Sequence, residues 1–363
     1  MPQVIPASLE PVFAHGGDLF HLRFSTRREK SHPATAPQVA LLDTMIFEDL
    51  VDWSKGRGMP GSGARLLEVI RCTSGMSIEP RHAMEESAWS RRQAITELDL
   101  YHAHTILAML LSPRHPGERW LREGAPGVVR AVRHRIPSSA ELGDYTDLIV
   151  EGQEAWFLRS AIPIVLLRRL QQRSNKGDRP ERRISLFDEY QRNCIKYGGG
   201  LDPWSSTLAL VRLFQRRNNE PLSRLLKGVT DSHDPSQLRA GALNVARDLN
   251  MLRRLLDIEA GKGRHRVPRP AVLLTRDRGL VGLHKCVSNE VTLDGEHAGL
   301  YLDEVVNGLD VAPETKSTLA SLLLDHADAL QARPANANSK EMLSLEVASK
   351  RLDAVVQLVA TDP

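Results

Sequence analysis

Two stretches decide how this chain is read: QVALLDT at 38–44 and AVLLTRD at 271–277. Each is a short, nearly continuous apolar run that closes on Thr and Asp. Such runs read as strands buried on both faces of a parallel sheet. The first brings Asp43 to its carboxyl end, with Thr44 opening a helix. The second brings Thr275 and Asp277 to the same kind of place. Ligands of open parallel sheets gather beyond the carboxyl ends of the strands. If the two strands are neighbours, both carboxylates enter one crevice. A single carboxylate at a strand end is usually just a solvated residue, whereas a pair placed this way is less ordinary.

Outward from these runs the chain is mostly helical. Residues 1–36 are rich in Pro, Gly and polar side chains and read as an N-terminal extension with a short strand at 19–24. Residues 44–54 have near-helical apolar spacing, KGRGMPGSG at 55–63 is a loop, 64–72 resume a helix, and MSIEP at 76–80 suits a short strand. From 81 to 255 apolar residues recur every three to four positions, over 90–111, 147–173, 186–197, 205–217 and 238–256. After AVLLT a weaker strand is expected in KCVSNEVTL at 285–293, then two amphipathic helices near 313–331 and 339–360. The expected fold is α/β: a small parallel sheet with a large helical insertion and a C-terminal helical segment. The expected domains are an extension (1–36), a sheet domain (37–288) with its insertion at about 90–238, and an acidic helical segment (289–363).

At 363 residues, 41% hydrophobic and 26% charged, the chain can fill about two cores. It is neither a disordered tail nor a disulfide-stapled miniprotein. The longest uncharged apolar run is AIPIVLL at 161–167, far short of the roughly 20 residues a membrane span needs. No apolar leader block stands in the first thirty residues, so a soluble, cytoplasmic protein is expected. Cys72, Cys194 and Cys286 are too scattered for a disulfide framework or a zinc site. His102 and His104, two apart, fall on different helical faces. GRGMPG at 56–61 matches G-x-G-x-x-G but follows a helical pattern instead of a strand, and GKGR at 261–264 lacks the rest of a phosphate loop.

Charge is unevenly spread. Residues 289–363 hold 5 Lys or Arg against 13 Asp or Glu, although the whole chain carries +3. The preceding body is therefore basic, and 38 of the 48 basic residues are Arg. Arginine grips phosphate through a bidentate fork, which fits a nucleic-acid partner and also fits a codon bias towards Arg. Aromatic content is only 5%, with no stacking platform for bases.

Further acids stand between the two strands. Glu85 and Glu86 follow the SIEP stretch, and Asp248 sits at the border of the apolar face Leu243, Ala246, Leu249, Leu252 and Leu256, with Asp257 nine residues on. In LLDTMIFEDL, PRHAMEES, NVARDLNML and LLTRDRGL the chain resembles PIN-domain nucleases, specifically larger bacterial members with helical expansions. The resemblance implies four acidic positions: Asp43, then Glu86 with Glu85 in reserve, then Asp248 with Asp257 in reserve, then Asp277. Thr44 and Thr275 would orient a carboxylate or the scissile phosphate.

That resemblance implies a metal-dependent nuclease, with RNA favoured over DNA. Clustered carboxylates repel one another unless hard cations neutralise them. Mg2+ and Mn2+ prefer oxygen ligands, and a pair of them clamps a phosphodiester. Arg276, Arg278 and the loop GKGRHRVPRP would hold the phosphate backbone without reading bases. Two other readings use the same residues: an inactive PIN-like scaffold that binds protein or nucleic acid, and a metal-dependent hydrolase of small substrates. The acidic C-terminal segment is expected to cap the body, to meet a protein partner, or to fold over the basic surface as an inhibitor.

Overall fold

The computed structural model describes residues 19–24, 36–46, 69, 72–73, 75–79, 83, 153–175, 177–200, 202–214, 226–230, 234–262, 269–287, 291–292, 299–331 and 344–361. The chain divides into two compact units. One comprises Met1–Glu151, Met251–Val281 and Leu293–Glu296, and the other Gly152–Asn250, Gly282–Thr292 and His297–Pro363.

The first unit is built on a four-stranded sheet in the order β1-β4-β2-β3, from β1 (Phe20–Leu22), β2 (Val39–Leu42), β3 (Ser77–Glu79) and β4 (Ala271–Thr275). The two central strands are the VALL and AVLLT runs, and every residue in them is buried, as a strand covered on both faces requires. They pair in parallel, Val39 opposite Ala271 through Leu42 opposite Leu274. The ladder continues past their ends: Gln38 N–H donates to Pro270 O at 2.7 Å and Asp43 N–H to Leu274 O at 2.9 Å. β3 joins β2 in parallel, entered through a turn in which Gly75 takes φ +81°. That left-handed conformation costs glycine little and closes the helical turn containing Cys72 and Thr73.

The sheet is mixed, whereas the sequence pattern led us to expect a parallel one. β1, from the expected N-terminal extension, runs antiparallel to β4, with Phe20 opposite Thr275. Its partner lies some 250 residues away, so no turn signal announces the pairing. An antiparallel edge strand on an otherwise parallel sheet is common.

The second unit is helical, with α1 (Gln153–Arg173) at its centre. Residues 161–168 of α1 are all buried, so the helix is covered on every side. Arg168 is among them, its guanidinium donating to Val229 O at 3.3 Å. Around it stand α2 (Pro180–Lys196), α3 (Pro203–Phe214) and the single turn α4 (Lys227–Thr230). α2 begins six residues before the expected start at 186. Arg179 is extended (φ −69°, ψ 156°) and Pro180 opens the first turn, where a missing N–H costs nothing.

α5 (Pro235–Glu259) passes from this unit into the first, the division falling after Asn250. After β4 come α6 (Arg278–Val287) and the pair β5 (Val291–Thr292) and β6 (Gly299–Leu300). Of the strand expected over 285–293, Lys285–Val287 instead end α6, with Leu280, Leu283 and Val287 buried at helical spacing, and Val291–Thr292 form β5; 288–290 and 293 lie outside the described residues.

α7 (Leu302–Gly308), α8 (Pro313–Gln331) and α9 (Leu345–Thr361) carry the acidic segment. α9 lies along α1, and α8 lies on α2 and α7. α9 buries Ala348, Leu352, Val355, Val356 and Val359, and half-buries Val347 and Leu358. α8 buries Leu319, half-buries Leu322 and Leu323, and buries Thr315 and His326, which apolar spacing alone did not mark. His326 Nε2 meets Asp188 of α2 at 3.0 Å, and Arg239 donates to Asp353 of α9 at 2.9 Å.

In the helical unit, α4 approaches α5 through a pair of glycines. A Cβ on Gly241 would lie 2.5 Å from Gly228 O. Gly241→Ala should therefore cost about 1–3 kcal/mol by overpacking, read as a lower urea midpoint. Gly177→Ala, where a Cβ would meet nothing within 4 Å, should leave the midpoint nearly unchanged.

Candidate functional site

The parallel register brings the ends of β2 and β4 side by side, and the residues beyond them form one hydrogen-bonded assembly. Thr275 is fully buried. Its hydroxyl donates to Asp43 Oδ2 at 2.6 Å and accepts the Asp277 N–H at 2.9 Å. One side chain thereby ties together the two chain segments that leave the sheet.

Asp277 is also the N-cap of α6. Its Oδ1 accepts the N–H groups of Gly279 at 2.5 Å and Leu280 at 3.2 Å, and its carbonyl accepts Val281 N–H at 3.1 Å. These amides have no partner inside the helix, and a carboxylate at the positive end of the helix dipole satisfies them well. A Cβ at position 279 would stand 3.0 Å from that oxygen, so glycine keeps the cap close.

Asp43 is buried, with 7% of its surface exposed. Its carbonyl accepts Ile46 N–H at 3.0 Å, starting the short helical turn at 44–46. Burial pushes its carboxyl above the ordinary range, and the negative charge of Asp277 adds to the rise. The Thr275 hydroxyl and the N–H groups of Met45 and Arg276 pull the other way. The ionised form of Asp43 is thus disfavoured, and either a proton or a cation would relieve it.

Of the expected site residues, the structure brings Asp43, Thr275 and Asp277 together. Thr44 is half-buried in the turn after Asp43, Arg276 is half-buried between Thr275 and Asp277, and Arg278 is exposed. Asp248 and Asp257 are both half-buried on α5, Asp248 in the part belonging to the helical unit and Asp257 in the part belonging to the sheet unit. Glu85 and Glu86 lie outside the described residues, as does 263–268 of the basic loop. Among the described residues, no three His, Cys, Asp or Glu side chains come close enough to share one ion. Also among them, no helix is long and apolar enough to cross a membrane.

Two contributions escaped the sequence reading. The capping role of Asp277 was legible in D-R-G-L, an acid one residue before an apolar helical repeat. The backbone N–H groups that oppose Asp43's rise had no side-chain signal.

No protein-family model, curated protein or solved structure matches the chain. What the site can do therefore rests on its own donor set. Two carboxylates and a hydroxyl are hard oxygen donors, of the kind Mg2+ and Mn2+ prefer.

Two outcomes test this geometry. Thr275→Val keeps the shape but removes the hydroxyl that donates to the Asp43 carboxylate and accepts the Asp277 amide. Chemical denaturation should show a loss of about 1–3 kcal/mol, largely restored in Thr275→Ser. A carboxyl raised by folding contributes stability below its unfolded value, and that contribution is lost as pH rises through the folded value. Asp43→Asn should therefore melt above the unmodified protein at pH 7 without metal, the gap closing as pH falls into the ordinary carboxylate range.

Proposed function

We propose that the chain is a metal-dependent nuclease of PIN-like type that hydrolyses phosphodiester bonds, RNA ahead of DNA, at the carboxyl ends of β2 and β4. The observation that carries this reading is the buried Asp43 beside Asp277 at the ends of adjacent parallel strands. Two like charges there raise the proton affinity of Asp43, and a divalent cation relieves the same repulsion. When bound, such a cation supplies an activated water and neutralises charge on the phosphate.

Asp43 would be the direct ligand, since its carboxylate is held by hydrogen bonds to one oxygen and to the flanking backbone. Asp277 would contribute the oxygen that the helix cap does not use. Thr275 would fix the angle between the two carboxylates and so act as a positioning residue. The resemblance would give the other two positions to Glu86, with Glu85 in reserve, and to Asp248, with Asp257 in reserve, although no three of the described acids come close enough in this structure to share one ion. Arg276 and Arg278 beside Asp277 suit the phosphate backbone of the substrate.

One observation favours a second reading, in which the PIN-like scaffold has no catalytic activity and serves to bind a partner. Thr275 and one oxygen of Asp277 are fully employed in joining the sheet to α6, a structural duty sufficient to explain their presence.

Incubation with labelled RNA and DNA separates the two. The nuclease reading expects cleavage with Mn2+ that EDTA stops. Asp43→Asn and Asp277→Asn should each lower the rate by more than the roughly 10–100-fold typical of groups that only support a ligand. Asn is itself a good N-cap, so the loss in Asp277→Asn would not come from unfolding α6. The absence of any EDTA-sensitive cleavage at high enzyme excess would leave the inactive scaffold.

A further inference from the structure

The helical unit contains a second concentration of positive charge. α1 and α2 form an antiparallel hairpin joined by residues 174–179. From Arg168 to Arg183 the sequence RRLQQRSNKGDRPERR holds seven basic residues against two acidic ones. Arg179 and Arg182 are exposed at the tip, while Arg169, Arg173 and Arg183 are half-buried.

Arg169 and Arg173, one helical turn apart on α1, line a shallow surface cleft against α2, with Glu189, Tyr190 and Asn193 on the opposite wall. Two acids of the hairpin are already engaged. Asp178 accepts Asn175 N–H, and Glu189 pairs with Arg173. A guanidinium has five donors, so Arg173 keeps others after that pairing. The carboxylate holds the fork in place instead of neutralising the whole surface.

We propose that this hairpin is a phosphate-backbone grip for nucleic acid, with Arg169 and Arg173 along the cleft and Arg179 and Arg182 at its tip. Charge complementarity selects a polyanion, and forked guanidinium groups match phosphate oxygens. The chemistry selects nucleic acid over an anionic membrane. Among the described residues the large exposed hydrophobic side chains are Met45, Leu324 and Leu345, none of them on the hairpin, so nothing there would enter a bilayer. No aromatic ring is exposed along it, so binding is to the backbone and indifferent to sequence. This grip deepens the nuclease reading by locating a place where substrate is held, yet it requires no catalysis.

The test measures binding of the full chain to a labelled 25-nucleotide RNA in EDTA across a salt series, where no metal-dependent cleavage contributes. Arg179→Gln/Arg182→Gln removes two exposed charges without opening the core. It should weaken binding about tenfold at low salt and lower the slope of log K against log salt by roughly 1–2. A control, Lys227→Gln/Lys285→Gln, removes the same charge from exposed positions elsewhere and should leave the slope unchanged. The proposal is overturned if the arginine variant binds as tightly as the unmodified chain, or if the lysine control weakens equally. It is also overturned if the unmodified chain binds no RNA, or if the variant loses only affinity for vesicles of phosphatidylserine. Failure of the nuclease reading shows separately, as Mn2+ cleavage that is absent or survives Asp43→Asn.

Discussion

A single hydroxyl holds the ends of the two central strands together. Thr275, fully buried, donates to Asp43 and accepts from the amide of Asp277. Its position follows from the parallel pairing of two apolar strands whose sequences lie 232 residues apart. Bringing such distant segments together costs loop-closure entropy, which the burial of VALL and AVLLT offsets. Once they are paired, Asp43 and Asp277 have no choice of neighbour. Each is fixed by backbone groups and by the same threonine, and their charges act on each other.

This arrangement serves two ends that pull in different directions. Asp277 caps the start of α6 through one carboxylate oxygen, and its proximity raises the cost of a second charge on Asp43. Asp43 sits where ionisation is disfavoured, by burial first and by Asp277 second. A purely structural site would relieve the conflict with an amide or an alcohol at position 43. Retaining a carboxylate in a place that disfavours its charge is the usual mark of a group kept for proton or cation chemistry. On the helical hairpin the charge is of the opposite sign, with Arg179 and Arg182 exposed at its tip. The acidic C-terminal helices sit within the helical unit, α9 along α1 and α8 on α2, joined by Arg239–Asp353 and His326–Asp188. Their apolar faces are spent on that unit's own core.

Much of the scaffold was legible because it is encoded locally. VALL and AVLLT are continuous apolar runs, and their Asp and Thr termini fall where strands end. The helices α1, α3, α5, α8 and α9 follow from three-to-four spacing of Leu, Ile and Val. What escaped is encoded non-locally or in the backbone. β1 is three residues, FHL, whose partner lies far along the chain, so its antiparallel sense carries no local signature. A strand was expected in KCVSNEVTL, whereas Val287, in helical phase with Leu280 and Leu283, ends α6. His326 and Thr315 are buried because Asp188 and the neighbouring helices surround them, which no periodicity of apolar residues reveals. The acidic pair was visible in sequence. Thr275 was expected, from the resemblance, to orient a carboxylate or the scissile phosphate, and its bond across the sheet to Asp43 appears in the fold alone.

The central claim is that Asp43 and Asp277 take a divalent cation. Titrating Mn2+ into the protein at pH 7, with free ion followed by electron paramagnetic resonance, measures this without any substrate. The account predicts saturable binding that Asp43→Asn abolishes and that weakens as pH falls and a proton replaces the ion on Asp43. A chain that leaves Mn2+ free at millimolar concentration, or whose Asp43→Asn variant binds it equally well, contradicts the account.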